Sequence, residues 1–270
     1  MLWESADIDD LISKKAPPDF LSGGAFLTIK IEKKKDAMIS LNRNQIKYIV
    51  IVAMLLDHIA WAFVPLQSWQ GQLMHMIGRL TGPTMAYFIA EGYVHTRNVK
   101  KYAQRLAVFA ILSWVPFTFF EYGYLPLHRV NGYLAFDFAP GVMYTLLLSL
   151  LAVWTWDSKT MMQGQKKCII VGLCILSFWG DWPLLDILYA LSFFIYRDDE
   201  KKKWETYLCL SVLNFAFGGF GIWGIYQVGV FFVPLLLHYA YNGKAGSKKA
   251  IHKWFFYLFY PVHLLILGIL

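Results

Sequence analysis

The chain has 270 residues, of which 57% are apolar and only 16% charged, with a formal net charge of +7 and a mean hydropathy of +0.44. A soluble domain of this length has too much wet surface to hide that much apolar side chain. The same figures exclude disorder, collagen, coiled coil and a secreted disulfide scaffold, which leaves an all-α, polytopic integral membrane bundle.

Residues 1–45 stand apart. They hold Pro17-Pro18, Gly23-Gly24 and Lys33-Lys34-Lys35 and read as a mobile cytosolic tail. Met1 and Met38 are both candidate starts. The first 37 residues contain no apolar core of signal-peptide length. From 46 to 270 the chain is a transmembrane domain of apolar runs and short polar breaks. About 20 residues cross the hydrocarbon core as a helix. The runs are 46–65, 73–94, 103–121, 140–156, 167–180, 183–196, 205–218, 222–241 and 254–270. Runs 167–180 and 183–196 are short, and a re-entrant hairpin is the alternative to two full crossings.

Charge orients these segments. All but Arg79 and Arg129 of the 25 Lys/Arg fall in the tail and in every second break. By the positive-inside rule this predicts about nine membrane segments with the N-terminus inside and the C-terminus outside. Topology accounts for most of the basic excess, so no nucleic-acid partner is invoked. Cys168, Cys174 and Cys209 lie in apolar stretches as small hydrophobes, and no metal site is expected.

Ionisable residues within spans cost on the order of 2.5–3.5 kcal/mol each by insertion scales, so each needs a reason. Asp57-His58 lies ~17 Å from the inner end of the first span by helix rise. Neighbouring positions point about 100° apart, so each is expected to meet a different partner. The second span carries Arg79 and Glu91, with Gly78, Gly82 and Pro83 allowing close approach and a kink. Asp57 and Arg79 are close enough in depth to pair. His95-Thr96-Arg97-Asn98 marks the inner boundary. His263 in the last span lies at nearly the depth of His58, which points to a shared interior cavity. A structural polar pair and interfacial anchors are the plainer readings of the same residues. His75, His128, His238 and His252 fall in loops or near span ends and are assigned no role.

The order of these motifs resembles the TraX family of conjugation-associated membrane proteins. The stretches that carry it are Leu-Leu-Asp-His at 55–58, GRLTGPTMAYFIAEGYVHTRNVKKYAQRL at 78–106, Tyr241-Asn242-Gly243-Lys244-Ala245-Gly246, and FFYLFYPVHLLIL at 255–267. One departure is Thr84, where family members often carry Phe. The resemblance implies acyl transfer, of acetyl from acetyl-CoA to an amine such as a peptide or pilin N-terminus, and relates the chain to membrane-bound acyltransferases. On that footing His58, Asp57, Arg79, Glu91 and His263 are the catalytic candidates, with His58 as base. His95, Arg97, Asn98, Lys101, Arg105, Asn242 and Lys244 are the candidates for holding the polyanionic acetyl-CoA at the inner face. Asp181 and Trp182, at an outer turn, are the candidates for a cationic acceptor. The rival readings are a proton-coupled transporter and a non-enzymatic conjugation or secretion assembly protein.

Overall fold

Asn42 turns an extended lead-in into the first long helix. Its side chain accepts the Gln45 N–H, and the Gln45 side chain accepts the Asn42 amide in return. The computed structural model describes residues 40–218 and 222–270. The expected mobile tail falls, as far as residue 39, outside the described residues. Leu41 is already tied to the bundle. Its amide donates to the Ala240 carbonyl at 2.8 Å, and its carbonyl accepts the Asn242 amide at 2.9 Å.

The helices are α1 (Arg43–Phe63), α2 (Trp69–Gly78), α3 (Thr81–His95), α4 (Val99–Tyr122), α5 (Val142–Asp157), α6 (Gln163–Leu176), α7 (Leu185–Ile195), α8 (Glu200–Phe217) and α9 (Ala250–Ile269). A 3-10 turn covers Ser177–Trp179; a longer 3-10 run over Ile222–Phe232 leads into a π-helical stretch at Leu235–Ala240. Every apolar run read from the sequence coincides with helix, and the expected all-α bundle is present.

Three departures have physical causes. The run at 73–94 is two helices, not one. Pro83 has no N–H to return to the Arg79 carbonyl, so α2 ends at Gly78 and α3 restarts with Pro83 in its first turn. The run at 222–241 is 3-10 and π-helix, not a regular span. Finally, β1 (Leu127–Val130) and β2 (Tyr133–Phe136) form an antiparallel hairpin in the break after α4. Asn131 (φ 50°) and Gly132 (φ 85°) both occupy the left-handed region at its tip, the backbone that a two-residue hairpin turn demands.

Helices α1, α4 and α9 are long and apolar enough to cross a membrane. The apolar helices α5 and α7 and the stretch Gly224–Ala240 are shorter. At 11 residues, α7 rises only ~16 Å, about half the hydrocarbon thickness. Among the described residues, helix length by itself accounts for three crossings.

α7 and α5 form the centre of the bundle. Ile187, Tyr189, Ala190 and Phe193 of α7 pack against α3, α5 and α8, together with Leu146, Leu150 and Val153 of α5. Both helices are apolar nearly all round, as buried helices must be. Around them, α4 exposes Val108, Ile111 and Leu112, α8 exposes Val212 and Phe217, and α9 exposes Leu258, Val262 and Ile266. Such a continuous apolar exterior suits contact with lipid and not with water.

Candidate functional site

One face of α1 lines the interior of the bundle. Lys47, Val50, Ile51, Met54, Asp57 and His58 recur at helical spacing along it and border a narrow cavity of about 50 Å³. A wider cavity of about 380 Å³ opens at the basic end of the bundle. The two share Lys47, Met85, Met143, Leu146 and Phe256 as lining, so they adjoin. From Lys47 to His58 the α1 face rises ~17 Å.

His58 is buried and its Nδ1 lies 3.0 Å from Nε2 of His263. The other nitrogen of His263, Nδ1, lies 2.8 Å from the Phe259 carbonyl. A carbonyl only accepts, so His263 carries its proton on Nδ1. The neutral His263 Nε2 then accepts, and His58 donates from Nδ1. This assignment leaves the lone pair of His58 on Nε2, on a ring that lines the narrow cavity. The expected meeting of His58 and His263 at one depth is present, and His263 acts as the group that sets the His58 tautomer.

Asp57 faces other partners, as its position beside His58 on the helix requires. Its Oδ2 accepts from Arg79 Nη2 at 3.1 Å, which is the expected pairing. Its Oδ1 lies 2.8 Å from Nδ1 of His75. His75, to which the sequence reading assigned nothing, lies in the last turn of α2 and is fully buried against Trp61 and Tyr226. The only signal for it was indirect: a carboxylate at this depth has more lone pairs than one arginine fills. Gly78 makes the cluster possible, since a Cβ there would fall 2.4 Å from Asp57 side-chain atoms. The Arg79 guanidinium stacks on Trp182 at 4.9 Å and Tyr226 at 5.1 Å. Trp182 thus already serves a cation of the protein itself.

The turn that carries Trp182 is strained. Trp182 (φ 53°) and Leu184 (φ 63°) are both left-handed without being glycine, a conformation that surrounding structure must hold in place. Asp181 and Trp182 line the narrow cavity on one side and, with Arg79, a second cavity of about 350 Å³ on the other. Phe178, Asn214, Phe217 and Gln227 complete that second cavity, which lies at the end of α8 away from the basic rim.

The basic vestibule differs in detail from expectation. Arg105 and His95 line it, as do Arg43, Lys47, Lys248 and Lys253, which the sequence had not singled out. Arg97, Lys101 and Lys244 are exposed outside the lining. Asn98 caps α4 by accepting the Lys101 amide, and Asn242 holds a turn by accepting the Lys244 amide. Glu91 is not at the His58 cavity either. It accepts Arg43 Nε at 2.7 Å and the Tyr241 hydroxyl at 2.6 Å, tying α3 to the start of α1 and to the end of the π-helical stretch. Its place makes it a positioning residue for Arg43 at the mouth of the vestibule.

Comparison with known proteins gives this arrangement a family. The chain is 32% identical over 232 residues to a probable fimbrial assembly protein FimC, serogroup H1, of Dichelobacter nodosus, covering 83% of this chain and 93% of that protein. No solved structure matches it. The model of the TraX protein family matches residues 42–270, and the chain belongs to that family.

Proposed function

We propose that the protein is a multi-pass inner-membrane acyltransferase that moves an acetyl group from acetyl-CoA to an amine, with His58 Nε2 as general base. The observation that carries this reading is a cationic vestibule adjoining a narrow cavity that the buried imidazole of His58 lines. Arg43, Lys47, Arg105 and Lys253 supply the charge that the phosphates of a coenzyme A need. The pantetheine arm then follows the α1 face toward His58.

The chemistry balances on these groups. The neutral amine nitrogen bonds to the thioester carbonyl carbon, and its proton passes to His58 Nε2. The tetrahedral intermediate collapses, the C–S bond breaks, and the leaving thiolate takes that proton from His58. The acceptor amine enters from the Asp181 side, where a carboxylate faces both cavities. The FimC relative is named for fimbrial assembly, which favours the N-terminus of a pilus or fimbrial subunit as acceptor. The same printed name also favours a second reading, an assembly role without catalysis. Equilibrium binding of radiolabelled acetyl-CoA to the purified protein tests the choice. Saturable binding that is weakened by salt supports the enzyme; absence of binding supports the assembly role.

A further inference from the structure

We infer that the Tyr260 hydroxyl is the oxyanion donor of this site, a catalytic group beside His58 on the wall of the narrow cavity. The inference rests on the acyl-transfer reading above.

Tyr260 is buried on α9, one turn from His263, and lines the same cavity as His58 and Asp181. Its ring centroid lies 6.4 Å from that of His58. Its hydroxyl oxygen accepts the Val142 amide at 3.1 Å. That amide belongs to the first turn of α5, where N–H groups have no helical partner and the helix dipole is positive. The bond uses a lone pair of the phenol and leaves its proton unspent. Among the described residues the hydroxyl makes no hydrogen bond as a donor.

A phenol that accepts from a helix N-terminus is polarised to donate. A proton free to donate on the wall of a narrow cavity that the general base also lines suits the charge that develops in an acyl transfer. As the amine nitrogen bonds to the carbonyl carbon, the carbonyl oxygen gains negative charge, and the Tyr260 O–H donates to it. Tyr260 keeps its proton throughout. The amine proton goes to His58, and when the C=O bond re-forms the C–S electrons leave with the thiol. Arg79 does not fill this place, because it lines the cavity of about 350 Å³ and not the narrow one that His58 lines. The alternative for Tyr260 is a purely structural cap on α5, which needs the oxygen but not the proton.

Isotope-edited infrared spectroscopy separates the two. The full chain in lipid nanodiscs is loaded with acetyl-CoA carrying ¹³C at the thioester carbonyl. The account expects the bound carbonyl band to shift to lower wavenumber than in water-free reference solvent. Tyr260→Phe should lose the shift while still binding acetyl-CoA, whereas His58→Ala should keep it. Because the phenylalanine variant leaves the Val142 amide bare and can fail to fold, 3-fluorotyrosine at position 260 provides a second arm. That stronger donor of nearly the same shape should deepen the shift. A shift unchanged in both variants, or a wild-type band at the reference position, overturns the role of Tyr260 and leaves the proposed function standing. Absence of acetyl-CoA binding in every variant overturns both.

Discussion

Asp57 Oδ2 and Arg79 Nη2 lie 3.1 Å apart across the junction of α1 and α2, and the second oxygen of the same carboxylate meets His75 at 2.8 Å. Neither α1 nor α2 can move far without stranding one of these groups in an apolar interior. Removing one partner of such a pair costs about 3–5 kcal/mol. Asp57→Asn together with Arg79→Gln should therefore destabilise the protein by less than the sum of the two single changes. Thermal or denaturant unfolding in detergent provides the double-mutant cycle, and strict additivity would contradict the pairing.

Gly78→Ala should disturb the same junction from the backbone side. The added Cβ would fall 2.4 Å from Asp57, so α2 must back away. Overpacking of this kind costs about 1–3 kcal/mol. Gly172→Ala in α6 is the control, since a Cβ there meets nothing within 4 Å. It should be neutral or stabilising by up to ~1 kcal/mol through helix propensity. Equal melting shifts for the two variants would count against the close approach.

The vestibule predicts which bases matter for the donor. Arg105→Ala and Lys253→Ala should each raise the apparent KM for acetyl-CoA by about tenfold, the worth of one charge-assisted hydrogen bond. Lys101→Ala and Arg97→Ala, outside the lining, should change it less than about twofold, in line with exposed charges. Steady-state kinetics at two salt concentrations reads the difference, and an effect of Lys101 equal to that of Arg105 would contradict the assignment.

Asp181→Asn should do the reverse, raising KM for the acceptor while leaving that for acetyl-CoA near its original value. The carboxylate lines the cavity of about 350 Å³ away from the basic rim as well as the cavity of His58. A change confined to the donor KM would show that both substrates enter from the basic end.

The helical runs were legible because hydropathy reports which residues leave water, and each run became helix. The Asp57–Arg79 pair and the meeting of His58 with His263 were legible because buried polar groups at matching depth need partners. What stayed hidden depends on rotation and on long-range contact. Hydropathy sees 73–94 as one apolar run; Pro83 marks a kink in the sequence, but only the bonding shows that one helix ends and another begins there. His75 pairs with Asp57 across 18 positions, with no local pattern to mark it. The run at 222–241 is as apolar as a regular span, so its 3-10 and π geometry left no trace in composition. Asn131-Gly132 between Leu-His-Arg-Val and Tyr-Leu-Ala-Phe is a recognisable hairpin turn, but a reading organised around spans passes over it. Arg97 and Lys101 were expected in the vestibule because bases cluster there in sequence, whereas the direction of each side chain decides which of them line it.

As the base of an acetyl transfer, His58 should govern the rate of CoA release from acetyl-CoA in the presence of a purified fimbrial subunit. His58→Ala should lower this rate by about 10²–10⁴-fold, the usual contribution of a general base, while acetyl-CoA binding and the melting temperature stay near wild type. His263→Ala should give a smaller loss, because it orients His58 without receiving the proton. A His58→Ala protein that folds, binds acetyl-CoA and turns over at the wild-type rate would contradict the account.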